Sequence, residues 1–135
     1  MQKLLSGVYV PLKQELDEWV NASYTNNPKE PQKLIHKTIP GILVRSKSEA
    51  LIINALFEHK IPFRYECLLQ IQNVSVYPDF TIRHPVTGEA YYWEHFGMME
   101  NPEYASKAMN KLNVYARNGY TVGGNLIITM GGESQ

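Results

Sequence analysis

The sequence predicts an α/β domain whose core runs helix, three strands, helix, strand. Three observations carry that expectation. An alternating stretch at 74–83 and an aromatic-rich stretch at 90–96 flank a short turn, as two adjacent strands would. Residues 46–59 and 102–117 place apolar side chains at helical spacing, one segment before these strands and one after. A final apolar run, 124–130, follows the second of those helices.

Taken in order, residues 11–24 read as a helix with Pro11 near its first turn. A turn follows at 26–31, then an irregular or weakly extended stretch that reaches the Pro40-Gly41 turn signal. In the helix at 46–59, Ile52, Ile53 and Leu56 share one face. Residues 63–71 read as a strand after Pro62. In 74–83, Val74, Val76, Pro78, Phe80 and Ile82 face one way, and Ser75, Tyr77, Asp79, Thr81 and Arg83 the other. The strand at 90–96 ends at Gly97. Asn101-Pro102-Glu103 opens the next helix with a cap, a first-position proline and a first-turn acid, and Asn118-Gly119 closes it. Residues 1–40 are expected to form an N-terminal helical extension and 41–135 the main domain. The chain stops just after its last strand, as a fragment of a longer polypeptide would.

The 135 residues suit one domain, and 44% hydrophobic with 19% charged residues is an ordinary globular composition. No apolar run has the length of a membrane span, and the start is a poor signal peptide. Cys67 is the single cysteine, so no internal disulfide can form and a reducing cytoplasm is the simplest location. The chain has no P-loop and no zinc-spaced Cys/His set. Formal net charge is zero, which argues against coating nucleic acid by bulk charge. Two stretches are nevertheless basic and free of acids. Residues 31–48 carry Lys33, Lys37, Arg45 and Lys47, and residues 104–132 carry Lys107, Lys111 and Arg117.

The hairpin between the second and third strands holds the informative geometry. With a four-residue loop at 85–88, His84 faces Glu89, and the same register sets Asp79 opposite Glu94, their Cβ atoms about 4.5–5.5 Å apart. Like charges so placed repel, and no lysine or arginine stands between them on that face. A divalent cation would relieve the repulsion, since Mg²⁺ takes one or two carboxylates and completes its shell with water and phosphate. The plain alternative is that one acid is solvated at a sheet edge or paired with a distant arginine.

Tyr77-Pro78-Asp79, followed 15 positions later by Glu94 within Trp93-Glu94-His95-Phe96-Gly97, resembles the PD-(D/E)XK nucleases. The element order over about residues 42–130 is similar to the restriction-endonuclease-like core of that superfamily. Arg45-Ser46-Lys47-Ser48-Glu49 and Tyr65-Glu66 are similar to an uncharacterised bacterial subfamily with an Glu-His-Phe-Gly motif. The resemblance implies phosphodiester hydrolysis with Mg²⁺ or Mn²⁺, with Asp79 and Glu94 as ligands and the His95 backbone carbonyl as a third. It places a lysine two residues after the glutamate, where this chain has Phe96. In some relatives the following helix supplies it, and Lys111, at the edge of the stripe Ala105, Ala108, Met109, Leu112, Tyr115 and Ala116, is the candidate.

Glu49 has two readings. Ser46-x-x-Glu49 fits a capping box, yet Glu49 also lies on the apolar face of its helix, and the resemblance implies a metal-site acid there. The His95 side chain is expected on the opposite face from Glu94, packed or hydrogen-bonded, and Glu66 is left undecided. Arg45, Lys47 and Lys107 are expected to contact a nucleic-acid backbone, double-stranded DNA ahead of RNA. The expected activity is a metal-dependent nuclease. Its rivals are a binding module without catalysis, which the missing lysine at 96 favours, and a structural domain on the same fold. A homodimer is left open.

Overall fold

The computed structural model describes residues 2–5 and 8–131. It is a mixed α/β domain. A short hairpin, β1 (Gln2–Leu5) and β2 (Val8–Pro11), leads directly into α1 (Leu12–Asn21). The hairpin lies where no element is expected, and Pro11 ends a strand and caps α1 instead of entering its first turn. A single 3-10 turn at Pro31–Lys33 precedes β3 (His36–Lys37) and β4 (Leu43–Val44), which pair antiparallel around Gly41, whose φ of 96° suits glycine.

Helix α2 (Lys47–Glu58) starts at Ser46, whose hydroxyl accepts the Glu49 amide at 3.2 Å. The two long strands expected after it are each broken. The first becomes β5 (Phe63–Tyr65) and β6 (Leu69–Ile71), the second β7 (Val74–Val76) and β8 (Phe80–Arg83). Glu66 takes a left-handed φ of 49° and turns the chain out of β5. Pro78 has no amide hydrogen with which to continue a ladder. The outer halves, β6 and β7, therefore pair with each other as a separate hairpin. Val76 consequently packs with Ile71, Tyr115 and Leu126, while Phe80 packs with Val44, Ile53 and Tyr65, so the single apolar face expected across 74–82 does not exist.

The central sheet adds β9 (Ala90–Phe96) and β10 (Leu126–Met130), on either side of α3 (Pro102–Arg117), in the order β10-β9-β8-β5. β9 runs antiparallel to β8 and parallel to β10, which makes the sheet mixed. Two cores cover its two faces. Ala50 and Ile53 of α2 meet Phe80 and Trp93 on one side. Tyr115 and Leu112 of α3 meet Tyr92, Leu126 and Ile128 on the other.

The N-terminal segment is stitched to this sheet. Glu15 of α1 pairs with Arg83 of β8 at 2.7 Å, both side chains nearly out of solvent. Arg64 of β5 donates to the Trp19 carbonyl at 2.8 Å and lies 4.3 Å over the Trp19 ring. Further on, Leu68 and Asn27 donate to the Thr25 and Glu66 carbonyls respectively. No helix among the described residues is long and apolar enough to cross a membrane.

Candidate metal centre

The β8–β9 ladder has the register Phe80↔Trp93, Thr81↔Tyr92, Ile82↔Tyr91 and Arg83↔Ala90, closed by the His84 amide on the Glu89 carbonyl at 2.8 Å. Continued by one step, it brings Asp79 opposite Glu94. There the pairing changes character, and Asp79 Oδ2 accepts the His95 backbone amide at 2.7 Å. Strand alternation points Glu94 to the α3 side of the sheet, with Tyr92. Helix α2 covers the other side, so side chains from both helices can meet only at the end of the sheet, beside Asp79.

That meeting occurs. Ligand oxygens of Glu49, Glu66 and Asp79 lie within 4.8 Å of one another. Glu49 and Glu66 are 7% and 6% exposed and Glu94 only 1%. Glu49 Oε1 accepts the Tyr65 hydroxyl at 2.9 Å and the Arg45 amide at 3.2 Å. Its carboxylate thus reaches one residue before Ser46, whose hydroxyl caps the helix. Glu66 is held by Arg45 Nε at 2.8 Å. Glu94 is gripped from α3, with Lys111 Nζ 2.9 Å from each carboxylate oxygen and the Tyr115 hydroxyl donating at 2.6 Å. Lys111 also donates to the Tyr77 carbonyl at 3.0 Å.

The buried stripe of α3 is rotated from the one expected. Met109 is half exposed and Ala116 exposed, whereas Ala108 and Tyr115 are buried, which puts Lys111 between them at the centre of the stripe. Phe96 occupies the position two beyond Glu94 as a buried core side chain, its ring edge-on to Tyr104. Arg45 differs from its expected role as a free phosphate contact. Its guanidinium is committed to Glu66 and to the Lys29 and Glu30 carbonyls at 2.6 and 3.0 Å. Lys47 is exposed on the first turn of α2 and does not line the cleft over the acids, whereas Lys107 is exposed and does. The His95 ring contacts Thr129 Oγ1 at 2.7 Å through Nδ1, as does Trp93 Nε1 at 2.9 Å. The sequence alone does not decide the role of Glu66 and does not single out Tyr115. The first depends on the left-handed turn after β5. The second had a signal, four residues beyond Lys111 on the same helix face.

Burial, followed by the charge of Asp79, pushes the Glu49 carboxyl up to about 7 and the Glu94 carboxyl up to about 8. Burial also raises Asp79, against the pull of Lys111 and the His95 amide. For Lys111, burial favours the neutral amine, but Glu94 and Asp79 outweigh it and its pKa is raised. Four carboxylates face two cations, Arg45 and Lys111, so full ionisation leaves an excess of two negative charges. An all-oxygen donor set with that excess suits a hard divalent ion. The acids form the floor of a cleft of about 570 Å³, whose lips are the 29–33 turn and the start of α3.

No family model matches the chain, and no solved structure matches it. The chain is 33% identical over 111 residues, 82% of its length, to an uncharacterized protein of Methanocaldococcus jannaschii. It spans 9% of that protein's length.

Proposed function

We propose that the protein is a divalent-metal-dependent nuclease of the PD-(D/E)XK type, its fold the restriction-endonuclease-like core with an N-terminal extension. The observation that supports this best is the convergence of Glu49, Glu66 and Asp79 within 4.8 Å beside a Glu94 held by Lys111. Asp79, Glu49 and Glu66 would hold Mg²⁺ or Mn²⁺, with Glu94 and the His95 carbonyl completing the protein's share. Such an ion, when bound, would supply an activated water and stabilise charge developing on phosphate. Lys111 opposes the protonation that burial favours at Glu94 and offers positive charge towards a phosphodiester above the floor. Tyr65 and Tyr115 fix the carboxylate rotamers, so the donor set does not have to be ordered when substrate arrives. The lysine displaced from position 96 is thus supplied from α3. Nucleic acid is the substrate, and the exposed Lys29 and Lys107 on the cleft lips are its backbone contacts.

The test compares wild type with Asp79→Ala on labelled DNA and RNA in the presence of Mn²⁺. Cleavage by wild type and at least about a hundredfold less by the variant supports the reading, a loss typical of removing a group central to transition-state stabilisation. Equal cleavage by both proteins marks a contaminant. Binding without cleavage in both transfers support to a non-catalytic nucleic-acid module. Mg²⁺ or Mn²⁺ at a hundredfold excess over its dissociation constant should also stabilise wild type by about 2.7 kcal/mol, and the variant far less.

A further inference from the structure

We infer that the cleft takes a single nucleic-acid strand, and that a duplex reaches the acids only where its end is frayed or unpaired. This rests on the nuclease reading above and refines its substrate, in place of the duplex that the resemblance suggests. Three observations carry it, the first of them depth. The floor carboxylates of Glu49, Glu66 and Glu94 are almost out of solvent and that of Asp79 is partly so, and the cleft above them, about 570 Å³, is in the size range of a small-molecule site. Below its lips it has room for a nucleotide and its phosphate, so a duplex reaches the floor only by seating both lips in its grooves.

The second observation is the rigidity of one lip. The 29–33 turn is tied to the floor itself. Arg45 holds Glu66 with one nitrogen and the Lys29 and Glu30 carbonyls with the other two, and the Asn27 amide donates to the Glu66 carbonyl at 3.1 Å. Swinging this lip aside would break a largely buried ion pair at the metal centre. The opposite lip is the first turns of α3, capped by Asn101 and continuous with the helix that carries Lys111. A phosphate of B-form DNA sits on a ridge between the two grooves. To bring one to the floor, one lip must enter the major groove, about 12 Å wide, and the other the minor groove, about 6 Å wide. A helix with side chains is about 10–12 Å across and fits only the former. The proline-containing turn is then left with the narrow groove.

The third observation is the chemistry of the lips. Lys29 on one side and Lys107 on the other are exposed, Lys33 is exposed but paired with Glu30 at 3.3 Å, and Tyr104 lines the cleft between them. Cations along a groove with an aromatic face are the elements that track a single strand with little sequence preference.

The test uses the whole chain and one labelled DNA sequence in three forms: single strand, blunt duplex, and duplex with mismatches at one end. Cleavage is followed in Mn²⁺, and binding by anisotropy in Ca²⁺. The expected result is cleavage of the single strand about tenfold or more faster than the blunt duplex, with the mismatched end restoring cleavage near that end. A blunt duplex cut as fast as the single strand, or faster, overturns the inference. If no form is cut, the nuclease reading fails and binding decides. Single strand held about tenfold more tightly than blunt duplex supports a single-strand cleft, and equal or weaker binding refutes it. Lys29→Ala combined with Lys107→Ala changes only exposed side chains. It should weaken single-strand binding and reduce its salt dependence.

Discussion

Glu94 and Glu49 are carboxyl groups kept in a place that favours their protons, and this has a measurable consequence. Both have an ordinary pKa near 4.5 when unfolded and are raised in the fold, Glu49 to about 7 and Glu94 to about 8. Between those limits the folded protein binds more protons than the unfolded chain. Its metal-free stability is therefore greatest at the acid end and is lost as pH rises through 7 to 8. Urea unfolding in chelator at about pH 5.5 and pH 8.5 should give the lower midpoint at the higher pH, and Glu49→Gln should reduce the difference. A midpoint that rises with pH would contradict the burial of these groups as described. At this scale much of the site was legible. An even-length loop between two alternating strands fixes which side chains meet, and this set Asp79 against Glu94 from the sequence. Glu66 was not legible, because a left-handed residue within a run of β-formers leaves no periodic trace.

Helices α2 and α3 each deliver a charged side chain to the end of the sheet, and their positions depend on their first turns. The hydroxyl of Ser46 accepts the amide of Glu49, the residue whose carboxylate belongs to the acid cluster. Ser46→Ala should cost about 1 kcal/mol in chemical denaturation. It should also lower metal affinity measured by calorimetry, because the frayed turn carries Glu49. Unchanged affinity would mean that the Tyr65 hydroxyl and the Arg45 amide hold that carboxylate without the cap. The element boundaries were legible where capping chemistry is local, as at Ser46, Asn101 and the end of β9. They were not legible where tertiary pairing decides. The segments 63–71 and 74–83 each read as one strand, and the left-handed turn at Glu66 and the missing amide hydrogen of Pro78 divide them, leaving β6 and β7 to pair with each other.

Across the whole molecule, residues 10–30 serve as a brace as well as an addition. The Glu15–Arg83 pair joins α1 to the centre of the sheet with side chains 9% and 11% exposed. Glu15→Ala would leave the Arg83 guanidinium without its buried counter-charge, at an expected cost of about 3–5 kcal/mol, whereas Glu15→Gln, which keeps hydrogen-bonding capacity, should cost less. Denaturant midpoints of the three proteins test this, and equal midpoints would show that α1 is peripheral to stability. The sequence assigned this segment to an extension because helical periodicity cannot reveal which distant arginine an acid will find.

One side chain lets the opening of this seam be timed. Cys67 is the only thiol, is 9% exposed, and lies in the bridge to Asn26, next to Glu66 and under the lip that Arg45 secures. A thiol reagent can reach it only when the seam parts, so its labelling rate is a clock for local excursions at that point.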